Sequence, residues 1–523
     1  MLQKQRFLAL LAAAFLTLQL SAQPKRYLDE VFPSVSVTLD VEYAKNISIL
    51  TGAPVLQSLK CDIYAPAGDT ATNRPLILLA PTGNFLPPIV NGGPTGSIRD
   101  SANVELAKLL AKRGYVVASF FYRQGWDPLN PSQDVRTATI LKAAYRGIHD
   151  ARSAARFFRK TVADSANKYG LDPDKIVIGG IGTGGYVSLG AAYLSDFVSE
   201  IQIPKFQNFT TGAYYVDTLL DGNLDGTSTT PLNNPNHVGF SSDFSMVFNL
   251  GGAMGDSSWI QAGEIPYVGF HTPQDPFAPY DIGPVIVPTT GDLVIDEAAG
   301  SFAVGRVVDR FDINQVFKDA NLTDVYTLAA NKYNNGYEGL FPFNKPFTPG
   351  TFSCAPAPVS VPLQPEGSPW SWWDEATFIA TWDFATGGSP APGIVVNCNQ
   401  RAGNPDMSAA KGRAYLDSVV NYLAPRMYVV MELYPTSVDD FRLQSSLKVY
   451  PNPVQDLLNV ELDDAGNRIQ SIELLDVTGR TVARHGNLNV TRFTLTGDQV
   501  TAGVYLLRVR GEKGQATQRV VFQ

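Results

Sequence analysis

Histidine is almost missing from this chain: 523 residues carry four, so any chemistry that needs an imidazole must draw on His149, His237, His271 or His485. Cysteine is as scarce, and three residues exclude both a disulfide-dense scaffold and a Cys-rich zinc module. Positive charge is short as well. Lys and Arg number 41 against 49 Asp and Glu, a net charge of −8, which leaves no basic face for nucleic acid. Beyond the first 22 residues no apolar run reaches the roughly 20 residues that a spanning helix needs. What is present is a globular composition, 44% hydrophobic and 17% charged, which excludes wholesale disorder. At about 150 residues per domain the length predicts more than one folding unit.

Residues 1–22 read as a secretory signal peptide. Lys4 and Arg6 precede an apolar run from Phe7 to Leu20, and Ser21-Ala22 offers a small-residue cleavage site. The mature chain is then expected to begin near Gln23, on the oxidising side of a membrane, where Cys354 and Cys398 could pair. Cys61, alternating with Leu59 and Ile63, reads as a buried strand residue.

Residues 23–434 read as one large unit. Pro75 to Ala80 is a continuous apolar run suited to a strand buried on both faces, and Ala102 to Arg113 carries one apolar helix face closed by Gly114. Val116 to Tyr122 is a second strand, Thr137 to Lys160 a helix, Lys175 to Ile178 a strand and Gly184 to Leu194 a helix. That alternation predicts an α/β fold with a mostly parallel sheet covered on both faces. A last helix, Lys411 to Leu423, is expected to stop before Pro425. Two polar, turn-rich stretches near 200–245 and 333–404 read as insertions. After a linker at 435–446, residues 447–523 show short alternating runs between Gly and Asp/Asn turns, the pattern of a small all-β sandwich.

The large unit resembles the carboxylesterase/lipase branch of the α/β-hydrolase superfamily. The resemblance is carried in order by Ser58 to Pro66, Leu110 to Arg123, His149 to Phe158, Gly170 to Ile178 and Ile265 to Asp275. It implies a nucleophile at the centre of Gly-x-Ser-x-Gly, on a tight turn from strand to helix. Here the turn reads Gly180-Ile181-Gly182-Thr183-Gly184-Gly185, so the nucleophile position is Gly182, which has no side chain. Thr183 would supply a backbone N–H to an oxyanion, or a hydroxyl if the register slipped by one. Asp275 matches the acid position, with a solvated loop aspartate as the plainer reading. The oxyanion loop becomes Pro81-Thr82-Gly83-Asn84-Phe85, with Gly83 and Asn84 as its donors. The resemblance also requires a His after the acid, and residues 278–434 contain none. An unactivated hydroxyl is a weak nucleophile. The hydrolase shape is therefore expected to persist without the triad.

Asp221, Asn223 and Asp225, followed by Gly226, match the opening of an oxygen-ligand calcium loop, but Leu232 stands where the closing bidentate Glu belongs. A turn-forming cluster without metal explains the same residues, and no other cofactor is indicated. Trp370, Trp372 and Trp373, with Phe341 and Phe343 upstream, suit either a binding rim or the packing of a long loop.

The small unit resembles the type A C-terminal sorting domain of the type IX secretion system. Lys448 to Asp456, Asp476 to Arg480, Ala502 to Val509 and the hairpin through Gly511 to Gly514 carry the likeness. It implies a Bacteroidetes-type source, the secretion machinery as a partner, and a secreted or cell-surface location. The combined expectation is an exported pseudoenzyme of esterase-like shape that binds a small molecule, a polysaccharide or a protein. An active ester or acyl hydrolase with a non-standard nucleophile is the alternative, and a surface adhesion or scaffold protein a further one.

Overall fold

The computed structural model describes residues 25–208, 210–287, 291–354, 359–433, 443, 446–464, 466–476, 480–497, 500–512 and 514–523. The expected signal peptide and most of the 435–446 linker lie outside the described residues. The chain divides into two compact units, Met1–Glu432 and Leu433–Gln523.

The larger unit is built on an eight-stranded sheet. Its strands are β1 (Val35–Ser48), β2 (Val55–Pro66), β3 (Arg74–Ala80), β4 (Val116–Phe120), β5 (Leu171–Ile181), β6 (Met246–Leu250), β7 (Tyr267–His271) and β8 (Leu340–Pro342). They lie in the order β1-β2-β4-β3-β5-β6-β7-β8. The β1–β2 and β2–β4 pairs are antiparallel, and the pairings from β4 to β8 are parallel. An antiparallel start, a crossed β3/β4 pair and a parallel remainder make up the α/β-hydrolase fold.

The sequence dictates this directly. Every residue of β3, β4, β6 and β7 is buried, as strands covered on both faces require. The covering helices include α1 (Ser101–Lys112), α2 (Gln133–Asp164), α3 (Thr183–Tyr193) and α4 (Ser301–Arg310). Later come α5 (Glu375–Thr386), α6 (Gly393–Ala402) and α7 (Ala409–Val430). The last corrects an expectation, because α7 runs through Pro425 rather than ending before it. Proline removes one backbone donor and costs about 3 kcal/mol in a helix interior. Burial of Tyr422, Leu423, Ala424 and Met427 on either side of it outweighs that loss. A second element escaped the sequence: Ile282–Ile286 and Leu293–Gly300 form a hairpin that joins Ala253–Met254 in a three-stranded sheet.

Inside the unit, Arg123 and Asp150 form an ion pair with both side chains fully buried. The Arg123 amide and Nε donate to the Asp150 carboxylate at 2.7 and 2.9 Å. Its Nη1 donates to Ile47 O and Leu232 O, at 3.1 and 3.0 Å. One guanidinium thus ties the end of β4 to α2, β1 and the polar insertion. Cys354 and Cys398 form a disulfide with a Cα separation of 5.9 Å, joining the Thr351–Cys354 strand to α6. Cys61 is a buried free thiol on β2.

The smaller unit holds a three-stranded sheet (Leu447–Tyr450, Leu457–Leu462, Arg492–Thr496). A four-stranded sheet joins Ile469–Asp476, Thr481–Val490, Gly503–Gly511 and Gln515–Phe522. All pairs between these strands are antiparallel, and Leu458, Val460, Ile472, Leu474, Leu507 and Val509 fill the core.

Removing one member of a buried ion pair leaves the other charge uncompensated. Asp150→Ala is therefore expected to destabilise the larger unit by about 3–5 kcal/mol, read as a fall in the urea midpoint. A loss below about 1 kcal/mol would show that Arg123 finds other compensation.

Candidate functional site

Gly182 sits at the apex between β5 and α3, with φ +54° and ψ −118°, a conformation that glycine adopts readily and other residues adopt under strain. Its N–H donates to Leu250 O at 2.8 Å and its carbonyl accepts from Gly185 N at 2.9 Å, which fixes the turn. A Cβ placed on Gly182 would lie 2.3 Å from Thr82 Oγ1. The Thr82 side chain thus stands in the space above the apex where a residue-182 side chain would begin. The sequence offered a signal for this, since Thr82 belongs to the segment read as the oxyanion loop.

Thr183, the first residue of α3, turns its hydroxyl to Tyr122, with 3.3 Å between the oxygens. Tyr122 OH donates its own proton to Pro81 O at 2.9 Å, so Thr183 is the donor of that contact. Gly83 has φ +128°, and a Cβ there would lie 2.4 Å from Gly96 Cα, so glycine is required by conformation and by close approach. Asn84 follows at φ +52°, its carbonyl accepting from Trp126 Nε1 at 2.8 Å.

Asp275 corrects the plainer expectation of a solvated loop residue: its side chain is only 3% exposed. Oδ1 accepts from Phe277 N at 2.7 Å and Ala278 N at 3.2 Å. Gly367 covers it, and a Cβ on Gly367 would lie 2.7 Å from Oδ1 and 2.9 Å from Oδ2. The loop that crosses the acid therefore meets it with bare backbone. No signal in the sequence marked Gly367, because the contact spans 92 positions.

The histidines lie elsewhere. His149 is buried on α2 with the Tyr145 ring edge-on to it, and His237 Nε2 meets Tyr43 O at 2.6 Å. His485 lies in the smaller unit against Phe493. His271 comes nearest to a catalytic arrangement. Its Nδ1 is 2.9 Å from Ser301 Oγ, and its Nε2 is 3.7 Å from Asp275 Oδ2. Yet His271 and Ser301 are both fully buried, and Nε2 lies 3.2 Å from Ala278 O, the acceptor for its proton. Burial pushes the imidazole down to about 4. It remains neutral and makes a poor base.

These residues meet at a cavity of about 470 Å³. Its lining combines polar and small residues, among them Thr82, Gly83, Asn84, Gly182, Thr183, Tyr186, Asp275 and Gly367, with apolar ones such as Ile148, Phe206, Val216, Trp259, Val287 and Ile295. Among the described residues that line it there is no His, Lys or Arg, and Asp275 is the sole carboxylate. Of the five aromatics suggested as a rim, Trp373 lines this cavity, its Nε1 donating to Asn397 Oδ1 at 2.9 Å. Trp370, Phe341 and Phe343 are buried in the packing of the unit.

The calcium-type residues turn to other partners. Asp221 is buried, with Oδ2 facing Lys142 Nζ at 3.5 Å and the Asp217 N–H at 3.1 Å. Asn223 Oδ1 accepts from Thr227 N and Ser228 N, each at 2.8 Å, and Asp225 pairs with Arg152 at 2.8 Å. No cluster of three or more His, Cys, Asp or Glu donors suited to a metal occurs among the described residues.

Residues 448–523 match the secretion system C-terminal sorting domain, which marks the protein as a type IX cargo, secreted or at the cell surface. No described helix is long and apolar enough to cross a membrane. A comparison with curated proteins gave no match. Among solved structures, similar chains include esterase 2 of Thermogutta terrifontis phosphorylated by paraoxon. The two share 20% identity over 49% of this chain and 76% of that one, with a TM-score of 0.27. The butyrate-bound form of the same esterase gives 17% identity over 47% and 75%, at 0.28.

Burial pushes the Asp275 carboxyl up to about 7, against an ordinary 3.8, with the two backbone N–H donors opposing it. The folded state thus keeps a proton that the unfolded chain releases near 3.8. The stability this lends is present at low pH and lost as pH rises through about 7. His271 acts in the opposite sense: its contribution is present above 6.5 and lost as pH falls toward about 4. Asparagine can keep both backbone hydrogen bonds without the charge. Asp275→Asn is therefore expected to stabilise the protein above neutrality by about 2–4 kcal/mol, with the gain vanishing near pH ~4. Urea midpoints at the two pH values check this, and an equal effect at both would refute it.

Proposed function

We propose that this protein is an exported, non-hydrolytic binding protein in which the cleft of an α/β-hydrolase fold holds a ligand intact. The carrying observation is that the cavity of about 470 Å³ persists above Gly182 while its lining among the described residues contains no imidazole and its apex residue carries no side chain. That volume falls in the range of small-molecule sites, roughly 300–1,000 Å³. Acyl transfer through a hydroxyl needs a neighbouring base. Thr183 spends its proton on Tyr122, and His271 is fully buried and is not among the lining residues. In this reading Gly182 holds the nucleophile position, Asp275 the acid position, and Gly83, Asn84 and Thr183 the oxyanion side, all serving to shape a binding site. We further assign residues 1–22 to a signal peptide, 23–434 to the binding unit, 435–446 to a linker and 447–523 to the export signal.

A fluorophosphonate probe is expected to leave the purified protein unlabelled, and short acyl esters to show no turnover above background. Gly182→Ser combined with Thr82→Ala, which clears the space above the apex, should still give no turnover, because a hydroxyl without a base stays weak. Labelling of the wild type that Thr183→Ala abolishes would instead establish an active ester hydrolase. Deletion of residues 447–523 is expected to leave the larger unit in the periplasm, read by cell fractionation; undiminished export would remove the sorting role.

A further inference from the structure

We propose that the ligand is a protonated aliphatic amine, its ammonium bound by Asp275 and its chain lying against the apolar side chains that line the cavity. This rests on the binding reading above and names the ligand class for the same site.

Two polar atoms at the cavity remain unmatched among the described residues. Asp275 Oδ1 is satisfied by Phe277 N and Ala278 N. Oδ2 faces His271 Nε2 at 3.7 Å, too far for a hydrogen bond, and that ring has Ala278 O as its acceptor. Tyr186 OH, which is buried and lines the same cavity, makes no hydrogen bond. An unmatched oxygen of a buried carboxyl side chain and an unmatched buried phenol therefore line the same cavity. Buried polar groups are ordinarily paired, so both atoms point to a missing partner.

Charge then decides what that partner is. The lining offers one acid and no Lys, Arg or His to receive an anionic head group. The N-terminus of α3 contributes a partial positive charge of about one half, smaller than the full charge of an ionised carboxylate. A carboxylate or phosphate would be brought beside Asp275 without compensation, whereas an ammonium neutralises it and donates to Oδ2, with Tyr186 OH a further acceptor lining the same cavity. The groups facing Asp275 do not compete. His271 on β7 is neutral, the Tyr186 phenol on α3 is held well above its usual range by burial and by the Asp275 charge, and Gly251 and Gly367 present backbone. Because the ammonium needs the ionised form, its binding should weaken as Asp275 takes up a proton.

The test is calorimetric titration of the full chain with n-decylamine, n-decanol and decanoate below their micelle-forming concentrations, at about pH 8 and about pH 6. Decylamine is expected to bind at the higher pH and about tenfold more weakly at the lower, with decanoate failing at both. Asp275→Asn should abolish the pH dependence and weaken decylamine at least about tenfold while leaving decanol unchanged, which shows the cavity intact. If decanol or decanoate binds as tightly as decylamine and Asp275→Asn changes nothing, the amine assignment is wrong and the binding reading stands. If no probe binds and esters are turned over instead, the binding reading itself fails.

Discussion

The site depends on how closely β5 and α3 are pressed against their neighbours. A Cβ on Gly180 would lie 2.0 Å from Gly184 O; one on Gly184, 2.3 Å from Ala80 O; one on Gly185, 2.0 Å from Asn249 Oδ1. No side chain tolerates such distances, and in each case the obstacle is backbone or a short buried amide. These glycines let the turn sit down onto the ends of β3 and β6 and so set the floor of the cavity. Gly182 is a different case. Its backbone has a positive φ, and the first atom its missing side chain would meet belongs to Thr82. Three glycines answer to packing, and the fourth to conformation.

That division explains how a scaffold can keep its shape without a reactive group. The turn is held by backbone contacts, and the sheet behind it by its buried strands and the Arg123–Asp150 pair. None of these involves a group that would have to react. Thr82 occupies the space over the apex, and Gly367 brings bare backbone onto Asp275. The cavity is left as a property of the fold rather than of catalysis.

How much of this was legible follows from the range of each interaction. β3 and β4 were legible because strands buried on both faces must be continuously apolar, and α1 because Gly114 closes it at φ +113°. The loss of a side chain at Gly182 was legible because the turn is local. The passage of α7 through Pro425 was not, since the packing that outweighs a missing hydrogen bond comes from distant elements. The burial of Asp275 was hidden for the same reason: Asp275-Pro276 reads as an exposed turn until a loop 92 residues later closes over it. The hairpin ending at Gly300 was masked by polar residues at Asp292, Asp296 and Glu297, which make a two-sided strand look like a loop.

Asp275 and His271 lie 3.7 Å apart, and burial drives each toward its neutral form. Were they to exchange a proton, both would be charged in a space that offers little compensation beyond their mutual attraction, so the neutral pair prevails near neutral pH. The carboxyl nevertheless sits close enough to its midpoint that a cation arriving from the cavity can ionise it. His271 stays uncharged because its two ring nitrogens are already engaged by Ser301 and Ala278. The asymmetry is geometric: one partner has closed its hydrogen bonds into the core, and the other keeps an oxygen that accepts no hydrogen bond among the described residues. A ligand that completes that oxygen's bonding binds the folded state alone, and so stabilises the fold by mass action.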